Sequence, residues 1–292
     1  MITLFSIPKP FRHHIGLIQR NAVESWVRLG PTVQVILMGD EDGVAEIAAA
    51  NGGQHIAGIE RNEFGTPLVR SIFGRAEEAA RHDLLCYANA DIIFLSDFLE
   101  AVRAARVARE AFLLIGRRWD LEVRSPLGSS PGWEADLRRQ VKGGGVLHGH
   151  SGIDFLVFRR GLWRTIPDFA IGRPGWDNWM VYAASAQGVP VIDITPVTTV
   201  IHQNHDYAHH PQGQAGVFQG PEAAHNRLLL GGLSHAYTIL DADSMMTRRG
   251  LRRNMRPYAL YRILTKVTDR PVLRPLARLM RRVVRGDQDP QL

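Results

Sequence analysis

Hydrophobic and polar positions follow two alternating periods through the first half of the chain. Short apolar runs, typical of buried strands, are separated by longer segments in which apolar residues recur every three or four positions, as on one face of a helix. The predicted strands are residues 2–7, 33–38, 54–56, 84–88, 92–95 and 112–115, and the predicted helices are residues 15–29, 44–50, 66–81 and 96–110. Strands that alternate with helices form βαβ units, so the pattern predicts an α/β fold with a mostly parallel central sheet flanked by helices.

The second half of the chain is less regular. It predicts a helix within residues 119–141 that is broken around 126–131, a strand at 153–159, a helix at 176–187, strands at 189–194 and 198–202, a loop at 205–220 and a helical tail at about 257–284. We therefore predict an α/β domain over residues 1–240 and a basic helical C-terminal extension over residues 241–292.

The charge of the chain is unevenly distributed. The 292 residues carry a formal net charge of +6, but residues 248–292 hold 13 Lys+Arg against 3 Asp+Glu, whereas residues 1–247 hold 22 against 26. Apolar and arginine positions also alternate with a helical period over residues 272–284, a pattern that can bind an anionic membrane surface. The pattern therefore predicts that residues 248–285 contact a membrane. The alternative is that this segment packs onto the α/β domain or onto a partner. No nucleic-acid-reading motif accompanies the charge, so we expect no nucleic-acid partner.

Composition limits where such a protein works. Cys86 is the sole cysteine, which excludes a disulfide scaffold and is consistent with a reducing compartment. No apolar run approaches the length needed to cross a bilayer, and the first residues lack the basic start of a signal peptide. We expect a cytoplasmic protein that can attach peripherally to the inner face of a membrane.

Polar side chains follow the predicted strands where an α/β sheet binds its ligands, beyond the carboxyl ends. Asp40 follows the second strand, and Asn89 and Asp91 follow the strand at 84–88. The chain has neither a G-x-G-x-x-G nor a Walker A sequence, so a nucleotide would need another means of binding its phosphates. A divalent cation held by oxygen ligands, Mg²⁺ or Mn²⁺, would provide it.

The octapeptide Tyr87-Ala88-Asn89-Ala90-Asp91-Ile92-Ile93-Phe94 resembles the strand and metal motif of GT-A-type nucleotide-sugar glycosyltransferases. Further similar stretches come in the family's order, at residues 6–11, 38–40, 65–75, 175–179 and 202–205, so that the resemblance covers about residues 1–210. It implies a GT-A-like domain that moves a sugar, as a hexosyltransferase would, from a nucleotide-diphosphate-sugar donor to a hydroxyl acceptor. That acceptor would be a glycan, a polysaccharide or a lipid-linked molecule, as in polysaccharide biosynthesis.

On the donor side, the resemblance implies that Asp91 is the metal carboxylate and that His202 is a late ligand of the metal or phosphate. The ion would be Mn²⁺ or Mg²⁺. Asn89 departs from the family, because it stands where the first aspartate of the Asp-x-Asp motif would be; its neutral amide is a weaker ligand that could contact the ribose or the metal. Asp40 would meet the base or ribose.

Three other residues complete the donor and acceptor sides. Arg70 or Arg75 could neutralise the diphosphate, since guanidinium groups match phosphate geometry. Asp177 would be the general base that deprotonates the acceptor, which an inverting transfer requires opposite the leaving diphosphate.

Asp154 and Trp176 are expected to contact the acceptor. Structural interpretations of the same residues remain open. Asn89 and Asp91 could be turn residues, Asp177 could be a helix N-cap, and Asp154 could close a turn. Trp176 could pack in the core, and His202 could be an ordinary strand-end histidine.

Histidines at positions 202, 205, 209 and 210 also raise the question of a zinc site, which the lack of cysteine partners and of an H-E-x-x-H helix disfavours. Two other function classes stay open. One is a non-catalytic nucleotide- or carbohydrate-binding module, and the other is a basic-tailed membrane or nucleic-acid adaptor.

Overall fold

Thirteen strands and eight α-helices form the part of the chain that the structure describes. The structure is a computed structural model that describes residues 1–128, 131–205 and 213–255, without the side chains of residues 213–215. The helices are α1 (His13–Arg28), α2 (Val44–Ala50), α3 (Val69–Ala79), α4 (Ser96–Ala108), α5 (Trp133–Gly144), α6 (Trp176–Ala186), α7 (Gly213–Gln219) and α8 (Pro221–Leu230). The strands are β1 (Ile2–Ser6), β2 (Val33–Met38), β3 (Gln54–Ile56), β4 (Leu84–Ala88), β5 (Ile92–Ile93), β6 (Leu113–Ile115), β7 (Trp119–Leu121), β8 (Val146–Leu147), β9 (Phe155–Arg159), β10 (Val191–Asp193), β11 (Ile201–Gln203), β12 (Ser244–Thr247) and β13 (Gly250–Arg253).

A nine-stranded central sheet has the order β13-β12-β10-β6-β9-β4-β1-β2-β3. Strands β9 and β13 run antiparallel to their neighbours, and every other pairing in the sheet is parallel. The predicted α/β class with a mostly parallel sheet flanked by helices is therefore confirmed. Because the parallel strands end at the same edge, the loops that follow β1, β2 and β4 meet there.

Both faces of the central sheet are buried, which explains the continuous apolar runs of its strands. Side chains of β1 point alternately to opposite faces. Ile2 and Leu4 lie in the core that contains Trp26 of α1, whereas Phe5 lies in the opposite core, where its ring meets that of Phe73 of α3 edge-on at 5.2 Å between centroids. Two apolar layers thus fix the sheet between its helices.

A second, four-stranded sheet of order β5-β11-β7-β8 extends from the carboxyl end of β4. It packs on α5 through a small cluster that includes Ile93, Leu137 and Ile201. Strands β7 and β8 depart from the sequence pattern, which predicts a helical segment at residues 119–141. Residues 119–121 form β7, and the helix of this region is Trp133–Gly144. A strand of three residues such as β7 is too short to display a period of two, so its pairing with β11 and β8 defines it.

Two strands follow the predicted boundary at residue 240. β12 and β13 form a hairpin at the edge of the central sheet, where β12 pairs in parallel with β10. Residues 244–247 and 250–253 therefore belong to the sheet, and the division into a domain over residues 1–240 and an extension over residues 241–292 stays a prediction. The helix predicted at 257–284 lies outside the described residues and stays a prediction. Within the described part of the chain, no helix has the length and apolar character needed to span a membrane.

Candidate active site

The small sheet aligns three chain segments at the carboxyl edge of the central sheet. In the pairings of β11 with its neighbours, His202 lies opposite Ile92 on one side and opposite Asp120 on the other. Directly opposite residues on one face of a sheet have their side chains within contact distance. The register therefore brings the end of the Asn89-Ala90-Asp91 loop, the late histidine and Asp120 to one place.

Asp91, His202 and His205 form a group that could hold a metal ion. Asp91 Oδ2 lies 3.1 Å from His205 Nε2 and 3.7 Å from His202 Nε2, and the three potential ligand atoms lie within 4.8 Å of one another. Asp91 Oδ1 is buried and makes no hydrogen bond. A buried carboxylate oxygen without a partner is costly, and a cation at this point would satisfy it.

Gln203 fixes the two histidines relative to Asp91. It is fully buried, and both its backbone N–H and its side-chain amide donate to the Asp91 carbonyl oxygen, at 3.2 and 3.1 Å. The same side-chain amide donates to the Ile18 carbonyl oxygen of α1. The segment that carries His202 and His205 is therefore anchored at its centre, one residue after the first histidine.

Local charges keep Asp91 ionised. Burial alone would raise the pKa of its carboxyl, but His202, His205 and Lys9 together lower that pKa far below its usual range. Burial likewise lowers the pKa of His202, yet the facing carboxylates of Asp91 and Asp120 outweigh it and raise the pKa of the imidazole. Asp91 and His202 thus stabilise each other's charged forms, a balance that a bound metal would replace.

Asp120 is the centre of a second set of contacts. Its Oδ1 lies 3.2 Å from His202 Nδ1 and accepts a 3.0 Å hydrogen bond from Arg118 Nε, while its Oδ2 lies 2.7 Å from His148 Nδ1. Burial raises the pKa of this carboxyl, but the three cationic or donating neighbours hold it well below its usual range. Asp120 is thus an ionised carboxylate that contacts His202 on the side away from Asp91.

Asn89 and Asp154 connect this cluster to the next part of the site. The Asn89 amide donates to Asp154 Oδ1 at 2.9 Å, and its oxygen accepts a 2.9 Å hydrogen bond from the Tyr87 hydroxyl. Asp154 is 7% exposed, and its second oxygen is paired with Arg118. Because each end of the Asn89 amide makes a hydrogen bond, the side chain is held between Tyr87 and Asp154, and it helps to hold Asp154 in place.

Asp177 lies at the second position of α6, whose N-cap is Gly175 in the left-handed conformation (φ 100°). Burial raises the pKa of its carboxyl to about 7, the charge of Asp154 adds to the rise, and backbone N–H groups at the helix start oppose it. Asp177 is therefore not the N-cap that the alternative interpretation of the sequence suggested. A carboxyl that gains and loses its proton near neutral pH is suited to general base catalysis.

The other predicted residues lie in less specific surroundings. The Asp40 carboxylate, after β2, is exposed and accepts from the Gly58 N–H at 3.2 Å. Arg70 is paired with Glu60 and Asp168. Arg75 is exposed, and its guanidinium lies 3.7 Å from the Glu78 carboxylate. Trp176 is 5% exposed, and its ring packs edge-on against that of Tyr87 at 5.2 Å between centroids.

For Arg70, two carboxylates already neutralise the guanidinium. The Trp176 side chain is buried and leaves little surface for an acceptor, so its contacts place it in the core. No contact in the described residues joins either arginine to the Asp91 group.

Sequence reasoning missed three members of the cluster, namely Arg118, Asp120 and His148. Each lies in or beside β7 and β8, the two strands that the pattern did not predict. For His205 the sequence raised a zinc site with His202, His209 and His210, which the residue pattern disfavoured; His209 and His210 lie outside the described residues. The sequence signal that could have identified His205 as a metal ligand is its spacing from His202, three residues earlier, at the end of a strand.

Comparisons with known proteins give likeness only at the level of solved structures. No family model matches the chain, and no curated protein matches it. One similar structure is glucosyl-3-phosphoglycerate synthase from Mycobacterium tuberculosis in complex with Mn²⁺, UDP and phosphoglyceric acid, with 14% identity, a TM-score of 0.49, and coverage of 81% of this chain and 78% of that one. Another is residues 1–349 of TarS from S. aureus, with 10% identity, a TM-score of 0.42, and coverage of 70% of this chain and 57% of that one.

Both solved structures are GT-A-type glycosyltransferases, the class that the motifs of this chain resemble. Both TM-scores lie below 0.5, so neither likeness assigns a function to this chain.

Proposed function

We propose that the protein is a glycosyltransferase that moves a sugar from a nucleotide-diphosphate-sugar donor to a hydroxyl acceptor. One observation carries the proposal: ion pairs through Asp120 and Arg118 join the Asp91, His202 and His205 group to Asp154, and the charge of Asp154 acts on the carboxyl of Asp177, whose pKa is about 7. The link between them is Asp154, which is hydrogen-bonded to Asn89 and whose charge acts on Asp177.

The residues of the first group fit a divalent cation. Two imidazole nitrogens and one carboxylate, with a buried and unpartnered Asp91 oxygen, make a three-ligand set that leaves positions for a substrate. Imidazole ligands favour transition-metal ions, so of the two predicted ions Mn²⁺ suits this site better than Mg²⁺. A cation bound there would neutralise the charge that develops on the leaving diphosphate.

Asp177 would supply the proton transfer. The acceptor hydroxyl oxygen forms a bond to the anomeric carbon of the sugar while the bond from that carbon to the diphosphate oxygen breaks. The hydroxyl proton passes to the Asp177 carboxylate, and the nucleoside diphosphate leaves with the bonding electrons. Attack opposite the leaving group inverts the configuration, which is the stereochemistry we propose.

The donor and acceptor contacts follow from position. Asp40 follows β2, which lies beside β1, at the same sheet edge and is exposed, which supports contact with the ribose or base of the nucleotide. Asp154, between Asn89 and Arg118, lies where the sugar and acceptor would meet. A hexose as the transferred group, and a glycan or lipid-linked molecule as the acceptor, remain part of this proposal. Attachment to an anionic membrane through residues 248–285 also remains a proposal.

A donor screen by calorimetry tests the function. Uridine, guanosine, thymidine and cytidine diphosphate sugars are titrated into the full chain with and without Mn²⁺, and the best binder is then tested for release of nucleoside diphosphate with candidate acceptors. We expect Mn²⁺-dependent binding, and turnover that falls in Asp177→Asn while binding is retained. Absence of binding at millimolar concentration of every donor would contradict the proposal.

The same assays distinguish a glycosyltransferase from a non-catalytic binding module. A module would bind a nucleotide or sugar, but no acceptor would give turnover, and Asp177→Asn would have no activity to remove. Asp136→Asn is the matched control, since this half-exposed carboxyl on α5 pairs with Arg139 on the surface and has no contact with the Asp91 group among the described residues.

A further inference from the structure

Asp120 is placed to control how His202 meets a metal. Within the small sheet the two residues are directly opposite partners on parallel strands. Asp120 Oδ1 lies 3.2 Å from His202 Nδ1, within ion-pair distance, and this buried nitrogen makes no aligned hydrogen bond with any other group of the described residues. The opposite ring nitrogen, Nε2, points to Asp91 at 3.7 Å. One edge of the imidazole therefore faces the potential metal ligand, and the other edge faces a carboxylate.

Such a carboxylate fixes a histidine ligand in two respects. It accepts a hydrogen from Nδ1, which leaves the lone pair on Nε2 for the metal, and it sets the rotation of the ring. An unpartnered imidazole would have to be oriented by packing alone. In metal sites generally, loss of such a partner weakens metal affinity by about 10–100-fold.

Other contacts hold Asp120 itself in a single orientation. Arg118 Nε donates to the same oxygen that faces His202, at 3.0 Å, and His148 Nδ1 lies 2.7 Å from the other oxygen. His148 is tied in turn by its backbone, because its N–H donates to the Arg118 carbonyl oxygen at 2.9 Å. Both carboxylate oxygens are thus fixed from outside the metal group.

This placement compensates for the residue that the motif lacks. Asn89 stands where a first carboxylate would be, and its amide is occupied by Asp154 and Tyr87. A second carboxylate reaches the group from a different strand, one step removed through His202. We infer that Asp120 is a positioning residue that fixes the ring of His202 with Nε2 free for a divalent cation, in place of the motif's missing carboxylate. The inference rests on the proposed metal site.

The test measures metal affinity without donor or acceptor. Mn²⁺ is titrated into the full chain and free ion is followed by electron paramagnetic resonance, for the unchanged protein, Asp120→Asn and the control Asp136→Asn. We expect Asp120→Asn to raise the Kd for Mn²⁺ by about 10–100-fold, and the control to leave it unchanged. An unchanged Kd in a folded Asp120→Asn protein would overturn the inference. If the unchanged protein binds no Mn²⁺, the metal part of the proposed function fails instead.

A second measurement keeps the inference testable if Asp120→Asn does not fold. Nitrogen-15 spectra of the histidines in the unchanged, metal-free protein are recorded at high pH, with the His202 signals assigned by their loss in His202→Gln. We expect the neutral ring of His202 to carry its hydrogen on Nδ1. A hydrogen on Nε2 would show that Asp120 does not set the ring, and would overturn the inference.

Discussion

Replacing Asp177 by asparagine should make the protein more stable at alkaline pH. Folded Asp177 keeps its proton up to about pH 7, whereas a carboxyl in the unfolded chain loses it near 3.8. Between these values the folded state binds more protons than the unfolded state, so the free energy of unfolding falls as pH rises. Asparagine cannot ionise, and it has nearly the same shape as the protonated acid.

The magnitude follows from the shift in pKa. A difference of about three pKa units corresponds to about 4 kcal/mol once the carboxyl is fully ionised. Asp177 is partly exposed, and the solvent reduces this cost. We therefore expect the stability of Asp177→Asn relative to the unchanged protein to rise by about 2–4 kcal/mol between pH 4 and pH 9.

Urea unfolding followed by circular dichroism at a series of pH values measures the difference. Taking the variant relative to the unchanged protein at each pH removes the contributions of other titrating groups, and Asp136→Asn provides the same substitution at an exposed carboxyl. A difference that stays constant from pH 4 to pH 9 would refute the argument, because it would show that the fold does not hold the proton on Asp177.

Three other predictions test the site and the core. The kcat/KM for sugar transfer should rise with pH through about 7 to a plateau, since Asp177 accepts a proton only when ionised; a profile flat from pH 5 to 9 would exclude it as the base. In the same assay Asp177→Asn should lower kcat by about 10²–10⁴-fold, and retained turnover would assign the base elsewhere. Phe73→Ala should lower the free energy of unfolding by about 3–5 kcal/mol, because Phe73 is 1% exposed, while Phe64→Ala, at a residue 55% exposed, should change it by less than about 0.5 kcal/mol; equal losses in urea unfolding would contradict the described core.

Local pattern was sufficient for the central sheet and for part of the site. Strands such as Leu84–Ala88, between α3 and β5 in the chain, are continuous apolar runs, so each could be recognised without its partners. Asp91 lies in the short loop after this strand, and the structure brings it to the predicted His202. The position of a loop after a parallel strand is enough to place it at the ligand edge.

The site contacts that the sequence did not reveal depend on pairing between segments that are distant in the chain. Asp120 reaches His202 because a three-residue strand adds to the small sheet, and nothing in the residues around it has a strand period. The surroundings of Arg70 depend likewise on Asp168, 98 residues away, which pairs with a guanidinium that the sequence suggested for a diphosphate. Such contacts depend on tertiary packing and have no local signal.

The most direct test of the account is a crystal structure of the full chain grown with Mn²⁺ and the nucleoside diphosphate that binds best, with anomalous data collected at the manganese edge. The account predicts a manganese peak coordinated by Asp91, His202 and His205 and by the diphosphate oxygens, on the side of the cluster that faces Asp177. A diphosphate bound away from these residues, or a manganese ion that contacts none of them, would contradict it.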